Sequence, residues 1–391
     1  MSKAVLFSVE HNVELAVVGG GHSTGGSSST DGGLCIDLSK MRKVSVNNNE
    51  KTVTAAGGAL WEDVDLEAAK YDLAAVGGTV NHTGVGGLTL GGGYGYLSPK
   101  YGMAIDNLLS VEYVLADGKI VTASENENVD LFWAIKGAGA SFGVATSFTF
   151  RAHEQKNTVW GGMLIWSPAQ LKDVIAFANT VIGDKSGNAL MLLGFGAPPP
   201  AHVPTILSAV FYNGSEEEAK KFYGPLISIG PLLNMTSVMP YVAANTMLNP
   251  TMVHGLRRTT KGSAFMAPLD LEFALEIFAD FEAFLKQVPD AIHTIILWEF
   301  IPFSKILEIP NTAAAFANRG AYGNLLFGPG GWTDPAKDLV GREWARVMAT
   351  KSKVELERKK SKGTDVVTSS AVGEYANYDS KYFNFVRNNA C

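Results

Sequence analysis

The stretch VVGGGHSTGG, Val17–Gly26, decides the reading of this chain. A strand-like run, Val13–Val18, enters three glycines as it would in a nucleotide-binding loop, but a histidine and small polar residues follow where a helix is expected. A Rossmann unit needs G-x-G-x-x-G running straight into a helix, so that pyrophosphate meets the helix amino terminus. None of the glycine clusters in the sequence reads as having both that spacing and the helix. NAD on a Rossmann domain is therefore disfavoured, and His22 needs another reason to sit in the loop.

Glycine is the informative excess, at 42 of 391 residues, and much of it lies before residue 144, in Gly19–Gly33, at Gly57, in Gly77–Gly95 and in Gly137–Gly143. Such clusters mark places where a backbone approaches a ligand or takes positive φ. Between them the pattern predicts a helix over Lys3–His11, strands at Glu14–Val18, Leu34–Asp37 and Thr52–Ala55, a helix over Leu60–Lys70 and a hairpin of Ser110–Leu115 with Ile120–Ala123 around ADGK. A short helix over Asp130–Ile135 and a long strand, VATSFTFRAHE, complete this part.

After about Glu154 glycine thins out, and amphipathic helices alternate with β-rich runs such as TVWGGMLIW, ALMLLGF, PTILSAVFY and HTIILWEF. Ser167-Pro168 and Ser215 followed by three glutamates are helix starts. Phe273, Ile277, Phe281 and Phe284 share one face of a helix over Asp270–Gln287. The expected product is an antiparallel sheet backed by helices on one side.

Bulk properties narrow the function. The formal net charge of −6 and the shortness of the basic runs argue against nucleic acid. Cys35 and Cys391 give no disulfide framework, and no zinc-ligand spacing occurs, so no metal is expected. No run approaches the roughly 18 apolar residues of a membrane span, and the first residues read as an amphipathic helix rather than a signal peptide. The expectation is a cytoplasmic, soluble protein.

Taken in order, VVGGGHSTGGSSSTDGGLCIDLSKM, VGGTVNHTGVGGLTLGGGYGYLSPKYGMAIDNLLSVEYVLADGK and DLFWAIKGAGASFGVATSFTFR resemble the flavin domain of the vanillyl-alcohol-oxidase superfamily, and within it the berberine-bridge-enzyme-like branch of fungal secondary metabolism. The resemblance runs over residues 3–151, with traces at Trp298–Arg319 and GEYANY. It implies an α+β fold: an FAD-binding domain of the PCMH type over 1–153, incomplete at its amino terminus, a substrate domain over 154–364, and a closing segment, 365–391, returning to the first.

The same resemblance implies covalent FAD, held by His22 through the flavin 8-methyl carbon, in a loop formed by Gly19, Gly20, Gly21, Ser23 and Gly25. From the second cluster it implies contacts by Thr83, Gly84, Gly86, Gly87 and Thr89, and then by Gly92, Gly93, Tyr94, Gly95 and Asn107. Gly137, Gly139, Phe142, Gly143 and Val144 follow from the third. Val80 stands where doubly attached relatives carry cysteine, which excludes a second bond; Thr83 leaves a route for dioxygen. His82 reads equally as a flavin neighbour and as a structural histidine.

A proton acceptor is harder to find. Where plant members place a polar residue over the flavin, the count through Arg319 arrives at Phe327, which cannot take a proton. Tyr375 and Tyr378 are the favoured catalytic residues, from the EYANY match, with Tyr322 and Glu299 behind them; Glu299 reads as a strand-end carboxylate in solvent or in a salt bridge. Arg257, Arg258 and Lys261 read as a solvated loop that could meet an acidic or carbonyl substrate. The family's opening strands and closing segment have no counterpart in the sequence, which puts flavin retention in question. The expected activity is oxidation of a hydrophobic small molecule with O2 as acceptor; a non-redox cyclase or isomerase and an inactive homologue stand as alternatives.

Overall fold

The computed structural model describes residues 1–362 and 375–378. Helix α1 (Ser2–Glu10) leads into a parallel pair, β1 (Leu15–Val18) and β2 (Leu34–Asp37). A six-stranded sheet follows, in spatial order β3 (Val44–Asn47), β4 (Thr52–Ala56), β8 (Gly143–Glu154), β6 (Leu108–Leu115) and β7 (Ile120–Ser124), with β5 (Leu73–Ala75) also on β8. Every pairing in it is antiparallel, so the parallel crossovers of a dinucleotide fold are absent from this sheet. Its core joins Trp61, Val64 and Ala68 of α2 (Trp61–Ala69) to Phe148 and Phe150 of β8. ADGK makes the expected hairpin, with Gly118 at φ +77°.

The second glycine cluster enters a helix that the sequence pattern does not predict, α3 (Val85–Leu90), with extended Gly84 as its N-cap, but without the G-x-G-x-x-G spacing, since Thr89 stands where the third glycine would be. Val85 and Leu88, three apart, pack into the sheet core, and that burial outweighs the poor helix propensity of Gly86 and Gly87. Short α4 (Ser98–Tyr101) and α5 (Val129–Ala138) complete this half.

The second half is built on an eight-stranded sheet. Its order is β12 (Leu233–Asn234), β9 (Val159–Trp166), β11 (Thr205–Tyr212), β10 (Ala189–Gly196), β15 (Ile295–Phe300), β16 (Gly323–Gly328) and β14 (Lys261–Phe265), with β13 (Ser237–Met239) on β9. Helices α6 (Leu171–Val181), α7 (Glu216–Ile227), α9 (Leu271–Gln287) and α11 (Asp338–Lys362) pack on one face, meeting Met191, Phe195, Trp298, Leu325 and Phe327. Short α8 (Tyr241–Ala244) and α10 (Ser304–Leu307) lie in the connections. Ser215 caps α7 and Asp270 caps α9, each through a side-chain oxygen that accepts a backbone amide.

The other face of this sheet is not open to solvent. Leu190, Leu192, Phe211, Leu297 and Leu326 pack against Val76, Val80, Tyr96 and Leu97 of the glycine-rich half. Packing on both faces explains why β10 and β11 are buried along their whole length and mostly apolar rather than alternating. Strands β14 and β16 escape the sequence reading because KGSAF and GNLLFG carry weak strand formers that only pairing and burial hold extended. Helix α11 escapes it because its polar face dominates the pattern.

Candidate active site

The Val17–Gly26 loop stays non-helical, and position 22 is brought against the second glycine cluster. A Cβ on Gly20 would collide with Gly84 N, and one on Gly84 would lie 2.5 Å from Gly20 N, so the two loops touch backbone to backbone. The second loop is held by α2: the Trp61 and Glu62 amides, unpaired at the helix start, donate to the Thr83 carbonyl (3.0 Å) and the Asn81 carbonyl (2.8 Å). His82 is pinned between these two bonds. Its Nδ1 lies 2.8 Å from His22 Nε2 and 3.1 Å from His254 Nε2, His254 coming from the turn ahead of β14. Burial, then the neighbouring imidazoles, pull His22 down to about 4, so it is neutral at physiological pH and its ring carries a lone pair. The sequence spacing gave no hint of a three-histidine cluster, because His254 is 172 residues from His82.

The third cluster and the GGGYG run close the same region. Gly139 packs on Leu90, and Gly137 adopts φ +124° so that Phe316 N can donate to the Lys136 carbonyl at 2.9 Å. Several expected contacts are spent inside the protein. The amides of Gly92, Gly93 and Gly95 donate to Thr89 O, Tyr375 Oη and Ser98 Oγ. Asn107 gives its amide group to the Tyr101 and Met103 carbonyls and its oxygen to His153, and Val144 lies in the small core beneath α1. Neither side chain is free to meet a cofactor, because buried polar atoms pair where they can and an inward residue of β8 packs where the sheet alternation sends it.

The residues considered as proton acceptors gather at the eight-stranded sheet. Glu299 is only 2% exposed, contrary to the solvent reading, and Tyr378 Oη donates to its Oε1 at 2.6 Å while Asn324 Nδ2 donates to Oε2 at 2.9 Å. Burial pushes the Glu299 carboxyl above its ordinary value of 4.5, and burial pushes the Tyr378 phenol well up. Phe327 faces the helices, whereas Asn324 and Leu326 of the same strand face the glycine-rich half. A count that is off by one crosses the sheet, since side chains alternate along a strand. Tyr375 accepts from Gly93 N (3.1 Å) and Asn377 Nδ2 (2.7 Å), and Tyr322 donates to the Asn318 carbonyl. Tyr94, Glu299, Ile301, Ile306, Tyr322 and Asn324 help line a small pocket.

Ties between the halves fix the distance from one end to the other. Arg319 and Asp106 form a buried pair at 2.5 Å, and Asn245 donates to buried Asp65 at 2.6 Å. Thr24 Oγ1 meets Thr260 Oγ1 at 2.6 Å, and two residues along the chain Gly262 packs on Tyr378. Two strand residues span about 7 Å, so the His22 loop and Tyr378 flank one short segment. Arg257 is exposed and paired with Asp338, as the solvated-loop reading has it, whereas Arg258 is half-buried and bonded to the Thr251 carbonyl and Lys261 is buried in β14.

These residues fit a flavin. Gly21 and Gly87 present open faces, and the buried hydroxyl of Thr89 and amide oxygen of Asn324 lack partners among the described residues. Residues 1–124 match the family model described as an FAD binding domain. The chain is 38% identical over 352 residues to the FAD-linked oxidoreductase pgmH of Aspergillus terreus, covering 87% of this chain and 70% of that protein.

The chain belongs to the FAD-linked oxidoreductases. This FAD-linked oxidoreductase is also 31% identical to one from Dictyostelium discoideum, covering 89% of this chain and 75% of that one. Among solved structures, 6-hydroxy-D-nicotine oxidase from Arthrobacter nicotinovorans superposes with a TM-score of 0.80 at 24% identity, covering 97% of this chain and 81% of that one, which is a likeness of fold. FAD is the cofactor, the reaction is an oxidation of a small molecule, and no described helix is long and apolar enough to cross a membrane.

Proposed function

We propose that the chain is an oxidase for an apolar small molecule, with FAD attached through His22, Glu299 and Tyr378 as the proton-accepting pair, and dioxygen as the final acceptor. The 2.6 Å bond between Tyr378 Oη and Glu299 Oε1 carries the reading. Bound FAD supplies the two-electron acceptor. Tyr378 takes the proton of the substrate's hydroxyl or amine as it passes its own to Glu299. A carboxylate whose pKa is raised by burial is a stronger base than one in water, and Asn324 holds it in line. Ile301, Phe303 and Ile306 form the apolar part of a pocket wall that is otherwise polar.

The flavin contacts are assigned to the loops around Gly19–Gly25, Thr83–Thr89 and Gly137–Gly143, with His22 neutral and nucleophilic. Thr83, small and β-branched, leaves the route for dioxygen. The test is the visible spectrum of the purified protein. Yellow colour that remains with acid-precipitated polypeptide, and leaves it in His22→Ala, supports attachment; colour released from the wild type overturns it. Hydrogen peroxide formed with substrate turnover supports the oxidase reading, and turnover without oxygen uptake defeats it.

A further inference from the structure

The geometry points to a second binding site: His22 Nε2, His82 Nδ1 and His254 Nε2 together hold one divalent transition-metal ion of the zinc, copper and nickel class. The three ligand atoms all lie within 4.8 Å of one another. The two closest approaches are 2.8 and 3.1 Å, and both end on the same nitrogen of His82. The His22 and His82 ring centroids are 4.9 Å apart with planes only 29° from parallel. That separation is too long for face-to-face stacking and fits two rings meeting edge on, nitrogen toward nitrogen.

Hydrogen bonds alone do not satisfy this arrangement. An imidazole nitrogen has one in-plane lone pair or one proton, so His82 Nδ1 can serve one of its two neighbours and not both. Charging a ring would supply another proton, and burial opposes the charge. A metal ion resolves the conflict by accepting all three lone pairs at once. With zinc to imidazole-nitrogen distances of about 2.0–2.1 Å, tetrahedral ligands lie about 3.3 Å apart, so the two short approaches need open only by a few tenths of an ångström. Imidazole suits Zn2+, Cu2+ and Ni2+ alike, and three protein ligands leave a fourth position open. His254 is exposed, so the ion has a way in.

The site links two parts of the fold. His22 and His82 lie on the two touching glycine loops, and His254 lies in the turn that leads to β14, so a bound ion clamps the glycine-rich half to the larger sheet. The charge of half-buried Arg258 acts on His22 and is what coordination has to outweigh. Flavin attachment need not compete, because His22 has two ring nitrogens and Nε2 is the one turned toward His82. The inference stands apart from the proposed attachment of flavin.

The test is calorimetric titration of untagged, chelator-treated holoenzyme with zinc chloride near neutral pH. One equivalent is expected per chain. His82→Ala and His254→Ala should each weaken uptake by about 100-fold or more, beyond the 10- to 100-fold typical of an outer-sphere partner, while His11→Ala leaves it unchanged. Zinc should raise the thermal midpoint of the wild type and not of either cluster variant, with circular dichroism verifying that both variants are folded. Absence of saturable uptake, uptake preserved in both cluster variants, or equal loss in His11→Ala overturns the site. Flavin colour read in the same samples keeps the proposals apart: yellow protein that takes up no zinc defeats only this one, and colourless protein that binds zinc defeats only the attachment.

Discussion

The His22 end and the Glu299 end of the site are built in opposite ways. At the first, backbone does the work: Gly20 and Gly84 meet directly, and the amides of Trp61 and Glu62 hold the loop that carries His82. At the second, side chains from three separate segments converge, Glu299 from β15, Asn324 from β16 and Tyr378 from beyond α11. Binding built from backbone tolerates little change in residue size, whereas chemistry built from side chains depends on which face of a strand each residue occupies. The two ends should therefore respond differently to mutation.

The largest separation is expected from Glu299→Gln and Tyr378→Phe. Each should slow flavin reduction by about 10²- to 10⁴-fold, the usual contribution of a positioned general base, with flavin content unchanged. Stopped-flow reduction beside an absorbance spectrum measures both; equal loss of flavin would dissolve the contrast. In the wild type the acid limb of kcat/KM should lie above 4.5, because Glu299 must be ionised and burial raises its pKa. That limb should vanish in Glu299→Gln.

Next comes the tie that sets the two ends in register. Arg319→Met leaves Asp106 charged and buried, which costs about 3–5 kcal/mol. Replacing both partners by apolar residues should recover most of it in urea unfolding, and a double variant as weak as the single one would show that the pair is not the cause.

Asp65 gives a smaller effect with a definite sign. Burial raises its pKa from 3.8 to about 7 in the folded state, despite the opposing bond from Asn245. A raised folded pKa means that its stabilising share is complete below 3.8 and is lost as pH rises through about 7. Asp65→Asn should flatten this fall and be the more stable protein above neutrality, by a shift on the order of 2–4 kcal/mol. Unfolding curves at several pH values test it; parallel pH profiles would count against a buried, protonated Asp65.

The mildest test concerns the backbone end. Gly20→Ala has to part the two loops, at an overpacking cost of about 1–3 kcal/mol. Flavin content should drop, while the Tyr378 and Glu299 bond on the far sheet persists. Retained flavin with unchanged stability would mean that the loops are free to separate.

Most of the first end was legible in the chain order. The hairpin at ADGK, the non-helical loop at His22 and, in the other half, the helix start at Ser215 depend on residues within a few positions of one another, and local chemistry reports them. The second end was legible only as a set of names. Phe327 and Asn324 lie three positions apart on β16 and face opposite sides, and Glu299, expected in solvent, is sealed by a sheet whose second face is covered by the glycine-rich half.

Sequence by itself determined the class of cofactor, the glycine-rich loops and the sheet-and-helix character of both halves, because these are properties of short contiguous segments. Tertiary structure alone decided that His254 reaches His82, that Asp106 meets Arg319 across 213 residues, and that Tyr378 bonds to a buried carboxylate. Such pairings depend on strand register and on how two sheets pack, and neither is encoded in the neighbours of any single residue.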